Sequence, residues 1–222
     1  MSVQNTSNPM MKADFPALGG FGLSLAPSPS PKRMLDLVVA AIAIVLFLPL
    51  FALVSAAIAL DSRGPVLFRQ RRAGEGGKLF GIYKFRSMHV MEDGTNVVQA
   101  LKGDGRITRV GRFLRVSSLD ELPQLFNVLS GEMSLVGPRP HALAHDEFYS
   151  TRIANYRVRH QVKPGMTGWA QVHGARGATS ELCDMQRRVE LDAWYVAHES
   201  IWIDLLILVR TPLEVLRHRN AV

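Results

Sequence analysis

Two carboxylates stand side by side in the segment 117–123, which has the sequence SSLDELP. They are Asp120 and Glu121, and arginines lie on both sides of them in the sequence: Arg106, Arg109, Arg112, Arg115 and Arg139. Adjacent acids among cations suit chemistry on an anionic substrate, with one carboxylate as a nucleophile and the other holding a divalent metal. The same residues also suit a simpler structural role.

That simpler role is the start of a helix. Ser118, followed three residues later by Glu121, has the spacing of a capping box, in which each side chain accepts a hydrogen bond from the other residue's backbone N–H. Acids in a first helical turn are also stabilised by the helix dipole. The pattern predicts a short helix over 121–129, ended by Ser130 and Gly131, and by itself assigns no chemistry to the pair.

Length and composition set broad bounds. The 222 residues are enough for one domain with a small appendage, and the net charge of +7 favours an anionic partner. Signatures of RNA-recognition and zinc-finger modules are missing from the sequence, so we expect no nucleic acid among the partners. Cys183 is the single cysteine, which excludes an intramolecular disulfide and fits a reducing compartment.

The first sixty residues divide into two segments. Residues 1–31 are rich in Asn, Ser, Pro and Gly and predict a disordered tail. Residues 34–60 are the most apolar part of the chain and contain neither Lys nor Arg. As a straight helix they would reach roughly 40 Å, enough to cross a hydrocarbon core of about 30 Å. A single transmembrane span is therefore one interpretation.

A proline and the flanking charges favour a different topology. Pro49 lies near the middle of the apolar segment, where proline usually kinks or breaks a helix. Basic residues occur on both flanks, and the positive-inside rule then places both ends in the cytoplasm. A re-entrant hairpin over 32–62, broken at Leu48–Pro49, satisfies both observations. A cytoplasmic domain is then expected over 63–222.

Local patterns predict the elements of that domain. Short strands are expected at 65–70 and 78–85, with a glycine-rich turn between them at 74–77. Helices are expected at 141–160 and 181–198. The apolar run 201–209, which contains Trp202, suits either an interfacial helix or an ordinary core helix. Together these patterns predict an α+β fold: a compact, helix-rich, membrane-seated domain with short strands and interfacial amphipathic helices.

Six segments, taken in order, resemble one family. They are KRMLD at 32–36, GPVLFRQ at 64–70, YKFRSM at 83–88, SLDELPQ at 118–124, SLVGPRP at 134–140 and KPGMTGWAQV at 163–172. Over about residues 32–222 the chain is similar to the bacterial sugar transferases, the monotopic polyprenyl-phosphate phosphoglycosyl transferases that prime polysaccharide synthesis. Two departures from the family pattern stand out: Leu48–Pro49 in place of Ser-Pro, and His173 in place of Asn.

The resemblance implies an activity and a location. Such an enzyme transfers a phosphosugar from a UDP-sugar to undecaprenyl phosphate, gives undecaprenyl diphosphate sugar and UMP, requires Mg²⁺ and begins exopolysaccharide synthesis. The segment PHALAH at 140–145 is similar to that of glucose-transferring members, with galactose as the alternative. The implied place is the cytoplasmic face of the bacterial inner membrane, among its lipids, and a homo-oligomer is compatible with it.

The resemblance also implies residue roles. Asp120 matches the family nucleophile, and Glu121 matches the acid that assists through Mg²⁺. Substrate- and phosphate-binding roles are implied for Lys84, Arg86, Arg115, Arg139 and Asp192, although solvated surface charge is the alternative for the cations. A competing function from another class is a single-pass membrane adaptor that displays a basic cytoplasmic domain.

Overall fold

The computed structural model describes residues 30–89, 103–177, 179 and 181–216. The disordered tail expected over 1–31 therefore lies almost wholly outside the described residues, and the expectation stays a prediction.

The first element is a long apolar helix, α1, which runs from Pro31 to Asp61. Its start is favoured by Pro31 in the first turn and by the Ser30 hydroxyl, which accepts a hydrogen bond from the Arg33 backbone N–H. The helix continues through Pro49, so the interruption predicted there is not present, and the re-entrant arrangement stays a prediction. By length and composition α1 could cross a membrane, and 11% of its most apolar window is buried inside the protein.

One face of α1 packs on the rest of the protein. The buried positions recur along that face: Asp36, Ala40, Val54 and Ile58. The positions between them carry large apolar side chains that are exposed: Val38, Ile42, Val45, Leu46, Leu48 and Leu53. A helix with one packed face and one bare apolar face is suited to contact with lipid on the second face.

Both ends of α1 are bound to the same body. At the start, Arg33 donates to the carbonyl oxygens of Val128 and Leu129, at 2.6 and 2.9 Å. At the end, the Asp61 carboxylate accepts from the Val110 backbone N–H at 3.0 Å. The helix is thus held along the surface of the body rather than projecting from it.

A β-hairpin follows α1. Strand β1 (Leu67–Ala73) pairs antiparallel with β2 (Leu79–Phe85), and Leu67 lies opposite Phe85. The turn between them contains a 3₁₀ helix, Glu75–Gly77, in which Gly76 and Gly77 both have positive φ. The predicted strands and the glycine turn are confirmed. Glycine is required at these two turn positions because it adopts a positive φ without strain.

The remaining elements are mostly short helices. They are α2 (Arg109–Ser117), α3 (Gln124–Ser130), β3 (Ser134–Val136), α4 (Leu143–Ser150), β4 (Gly165–Thr167), α5 (Trp169–Val172), α6 (Leu182–His198) and α7 (Ile201–Leu216). The helix expected at 181–198 is confirmed as α6. The one expected at 141–160 is divided into α4 and a 3₁₀ helix, Tyr156–His160. The described residues are helix-rich with a few short strands, as the α+β prediction has it.

A short parallel pair, β3 and β4, holds the centre. Ser134 lies opposite Gly165 and Val136 opposite Thr167. Gly137 follows β3 directly, and a Cβ atom there would collide with the Lys163 carbonyl oxygen. The close approach therefore requires glycine, and it fixes where the chain after β3 emerges.

Helix α7 combines the two interpretations of its apolar run. Asp204 and Ile207 are buried against the core, whereas Trp202 is 77% exposed and Val209 and Leu213 are also exposed. One face of α7 is thus a core face, and the other presents apolar side chains and a tryptophan.

Candidate active site

The acidic pair lies in a tight helical turn after α2. Ser118 adopts the left-handed conformation, with φ of 60°, and the 3₁₀ helix Leu119–Glu121 follows at once. The capping box expected here is wrong, because the Ser118 side chain makes no capping hydrogen bond. Its hydroxyl instead accepts a hydrogen bond from Arg176. The reversal at Ser118 turns Asp120 inward.

Glu121 is clamped by two cations. Lys84, on β2, places Nζ 2.9 Å from Oε1. Arg139, in the loop after β3, donates from Nη1 to Oε2 at 2.8 Å and from Nη2 to Oε1. Burial acts to raise the pKa of Glu121, but the charges and hydrogen bonds of Arg139 and Lys84 outweigh it and hold the pKa well below its usual range. Glu121 is therefore ionised and fixed in position.

Asp120 is in the opposite situation. It is 7% exposed, and within the described part of the chain no group donates a hydrogen bond to its carboxylate. Burial raises the pKa of Asp120 to about 6; the positive charge of Lys84 lowers it in part and the Glu121 carboxylate adds to the rise. Near neutral pH Asp120 is thus an ionised carboxylate with free lone pairs, which is the state a nucleophile needs.

Three of the predicted cations surround the pair. Lys84, Arg115 and Arg139 each act to lower the pKa of Asp120 through their charges, although they come from β2, from the last turn of α2 and from the loop after β3. Burial lowers the pKa of Lys84, while the Glu121 charge opposes that change. The structure thus brings together five of the predicted site residues, in an arrangement that can bind an anion beside the Asp120 carboxylate.

Arg176 belongs to the same site and was missed by the sequence analysis. It follows α5, hydrogen-bonds the Ser118 hydroxyl, and its charge interacts with those of Glu121 and Asp120. Burial lowers the pKa of Arg176, and Glu121 acts against that change. The sequence offered one signal for Arg176: it lies three residues after His173, where the chain departs from the family pattern.

Arg86 lies elsewhere, and its expected phosphate-binding role is not supported by its contacts. The guanidinium is buried and donates to the carbonyl oxygens of Pro65 and Ser62, at 2.7 and 2.5 Å. It also reaches the Ile58 carbonyl oxygen at 3.4 Å. Arg86 therefore satisfies the last carbonyl groups of α1 and joins that helix to β2.

Asp192 also lies apart from the pair, in a buried ion pair. Its carboxylate accepts from Arg159 at 2.9 Å, and burial raises the pKa of Asp192 while Arg159 opposes the rise. Arg159 in turn donates to the backbone carbonyl oxygen of Arg139. Asp192 is thus linked to the site through Arg159, which holds the chain that carries Arg139.

The buried network around Arg159 extends further. His141 contacts both Arg159 and the Tyr156 hydroxyl, the latter at 2.6 Å, and Tyr156 donates to Asp146 at 2.6 Å. Burial and the charge of Arg159 hold the pKa of His141 well below its usual range, so the imidazole is neutral. These groups hold the loop after β3 through the bond from Arg159 to the Arg139 carbonyl oxygen.

Comparison with known proteins places the chain in a family. The family model described as bacterial sugar transferase matches residues 28–218. The chain belongs to the bacterial sugar transferase family. The resemblance noted in the sequence is thereby confirmed, and the acidic pair and its cations all lie inside the matched region.

Several members of the sugar transferase family are close in sequence. The chain is 55% identical over 190 residues to a UDP-glucose:undecaprenyl-phosphate glucose-1-phosphate transferase of Caulobacter vibrioides, covering 86% of this chain and 71% of that protein. It is 51% identical over 191 residues to a protein of the same name from Xanthomonas campestris pv. campestris, covering 86% and 40%. An Aeromonas hydrophila UDP-N-acetylgalactosamine-undecaprenyl-phosphate N-acetylgalactosaminephosphotransferase is 44% identical over 191 residues, covering 85% and 45%. The chain thus spans about two-fifths of the second relative.

The acidic pair suits a magnesium site that is completed by substrate and water. Among the described residues no group of three or more His, Cys, Asp or Glu side chains could hold a metal, so no all-protein cage exists there. Two adjacent carboxylates with spare lone pairs suit Mg²⁺, which is commonly bound through one or two carboxylates, substrate phosphates and water. Glu121 and Asp120 are the residues of this sugar transferase that would hold it, and bound there Mg²⁺ would offset phosphate charge.

Proposed function

We propose that this sugar transferase moves glucose 1-phosphate from UDP-glucose to undecaprenyl phosphate, releasing UMP, as the first step of exopolysaccharide synthesis. The observation that carries the proposal is the ionised Asp120, buried without a hydrogen-bond donor beside the clamped Glu121 and its cations. Relatives at 55% and 51% identity are named for this reaction, which supports the choice of sugar and acceptor.

The residues divide the reaction into two steps. In the first, an Asp120 carboxylate oxygen bonds to the phosphorus that bears the sugar, the bond from that phosphorus to the UMP oxygen breaks, and UMP leaves. In the second, a phosphate oxygen of undecaprenyl phosphate bonds to the same phosphorus and the Asp120 carboxylate is released. Two anionic substrates then never have to meet, and Lys84, Arg115 and Arg139 stabilise each of them in turn.

Mg²⁺ is part of the proposal. Lys84 and Arg139 already bind Glu121 with three hydrogen bonds. A carboxylate has about four acceptor positions, so Glu121 retains capacity for a cation. Asp120 has more capacity, because no described group donates to it. Glu121, with Asp120 beside it, would therefore hold the Mg²⁺ ion, which would offset the negative charge of the donor diphosphate.

The location proposed is the cytoplasmic face of the bacterial inner membrane. The bare apolar face of α1 and the exposed Trp202 and Val209 of α7 would lie in lipid. Both ends of α1 are bound to the body that carries the active site, so both ends lie on one side. This contact pattern disfavours the single-pass adaptor, whose helix would place its start across the membrane.

The proposal is tested by transfer of label to lipid. The purified protein in detergent, with Mg²⁺ and undecaprenyl phosphate, is given UDP-glucose, UDP-galactose or UDP-N-acetylgalactosamine, each radiolabelled in the sugar. We expect lipid-extractable label from UDP-glucose at a rate at least tenfold above the other two, and none from Asp120→Asn. If none of the three donors transfers label to lipid, the proposed reaction is contradicted. If another donor is preferred, that donor's sugar replaces glucose in the proposal.

A further inference from the structure

An apolar layer lies directly beneath the acidic pair. Leu119 and Leu122 flank Asp120 and Glu121 in the sequence. Both leucines pack against the buried cluster formed by Val54, Ile58, Phe85 and Leu114. Two of those four residues come from the second half of α1. The segment that carries the two carboxylates is therefore packed on the second half of α1.

The layer reaches the surface through phenylalanines. The Phe51 ring, on α1, lies 5.4 Å from the Phe85 ring and 5.8 Å from the Phe126 ring, measured between centroids. Leu122, which directly follows Glu121, packs with Phe51 against the buried cluster that contains Phe85. At the other end Phe126, on α3, is 41% exposed, and Leu48, one turn before Phe51, is 62% exposed. We call Leu48, Phe51 and Phe126 the phenylalanine patch.

The patch and the cations together match an amphiphile. A polyprenyl phosphate has an anionic head and a branched apolar chain, and its head has to reach the phosphorus on Asp120. Lys84, Arg115 and Arg139 supply positive charge for the head. The first isoprene units must then lie on apolar surface close to those charges, and the phenylalanine patch is connected to the acidic pair through Leu122 and the cluster around Phe85.

We propose that the phenylalanine patch binds the phosphate-proximal isoprene units of the acceptor. The inference rests on the proposed function and goes beyond it, because it assigns residues to the lipid chain of the acceptor rather than to its phosphate. The continuity of the patch with the bare face of α1 gives the long remainder of the chain a route into the bilayer. Bulk phospholipid is the competing occupant.

The first test separates the two halves of the reaction. Phe126→Ala removes the exposed ring, and we expect the Michaelis constant for undecaprenyl phosphate to rise about tenfold, in the range for exposing a buried aromatic side chain. UMP release from donor alone should stay within twofold of wild type. Phe126→Leu should keep most of the acceptor affinity, because it keeps an apolar side chain of similar reach.

A matched control is available on α4. Phe148 is 47% exposed, and the Arg152 guanidinium lies over its ring. Phe148→Ala should leave the Michaelis constants for both substrates unchanged. If Phe126→Ala weakens recovery of the protein with membranes but leaves the acceptor constant unchanged, the patch contacts bulk lipid and the proposal is overturned. Equal damage by Phe126→Ala to the donor half-reaction would also overturn it, since that marks a structural role.

A second measurement does not depend on turnover. A geranyl phosphate analogue carrying a diazirine on its first isoprene unit is photolysed with the protein, and the labelled peptides are identified by mass spectrometry. We expect label in the peptides that contain Phe126 or residues 48–51, suppressed by excess undecaprenyl phosphate. Label confined to other peptides would overturn the assignment even in an active enzyme. Absence of UMP release from wild type, by contrast, would count against the proposed function alone.

Discussion

At the scale of single residues, the neighbouring acids have opposite environments. Glu121 receives Lys84 and Arg139 directly, so its charge is stabilised and its geometry is fixed. Asp120 is buried beside the same cations without a hydrogen bond from any described group, and its pKa is raised to about 6. A carboxylate kept reactive in this way costs stability, as is common in active sites.

We predict that Asp120→Asn abolishes transfer and stabilises the fold. The pKa of Asp120 rises from an ordinary value of 3.8 to about 6, so the folded state holds its proton more tightly than the unfolded state. That contribution to stability is present below pH 3.8 and is lost as pH rises through 6. A difference of about two pKa units corresponds to about 3 kcal/mol. The advantage of the Asn variant over wild type should therefore grow by up to this amount between pH 4 and pH 7.5.

Thermal unfolding in detergent at several pH values measures this prediction. Glu147→Gln, which removes an exposed carboxylate from α4, serves as the control and should show no comparable growth. A wild-type protein that is as stable as Asp120→Asn at pH 7.5, or more so, would mean that Asp120 has partners which satisfy its charge.

Site residues that are close together in the sequence could be predicted, whereas those that are far apart could not. Asp120 and Glu121 were evident because they are adjacent. Arg176 bonds Ser118 across 58 positions, and no local pattern joins them. Arg86 has the right charge in the right motif, yet its guanidinium donates to the carbonyl groups of Ile58 and Ser62 at the end of α1. Charge and motif alone do not report which backbone groups a side chain must satisfy.

At the scale of elements, the site depends on a loop held from two sides. The guanidinium of Arg139 is bound by Glu121, and its backbone carbonyl oxygen is bound by Arg159. Arg159 is also paired with Asp192. Strands with alternating or glycine-bounded patterns, β1 and β2, were predictable from sequence. The three-residue pair β3 and β4 was not, because its pairing depends on the close approach at Gly137.

Arg159→Lys should disturb this loop without touching a substrate. A lysine ammonium cannot reproduce the planar contacts to Asp192, His141 and the Arg139 carbonyl oxygen. We expect kcat/KM for UDP-glucose to fall ten- to a hundredfold, the range for a small misplacement of catalytic groups. In an Arg139→Lys background the further loss should be much smaller, since the two changes act on one group.

The control for this experiment lies on the same 3₁₀ helix. Arg157 is exposed there, and Arg157→Lys should leave kcat/KM unchanged. Fully additive losses in the double variant would show that Arg159 acts on the reaction independently of Arg139.

At the scale of the whole molecule, the apolar surfaces and the anchored ends of α1 predict a one-sided membrane topology. Arg33 and Asp61 are bound to backbone groups of α3 and α2, which belong to the body that carries the site. In a Cys183→Ser background, Gly20→Cys and Glu75→Cys should both react with an impermeant maleimide only after the inner membrane is permeabilised. Labelling of Gly20→Cys from the periplasm in intact cells would establish a simple span instead.

Passage of the phosphosugar through Asp120 is tested most directly by measuring UMP release in the absence of acceptor. Enzyme mixed with Mg²⁺ and UDP-glucose labelled in the sugar should release about one equivalent of UMP per active site and retain label on protein. Hydroxylamine should remove that label, as expected of an acyl phosphate, and undecaprenyl phosphate should move it into the lipid phase. Glu147→Gln should behave as wild type, and Asp120→Asn should release no UMP. UMP release that strictly requires the acceptor, with no label trapped on protein, would contradict the account and leave Asp120 as a metal ligand beside Glu121.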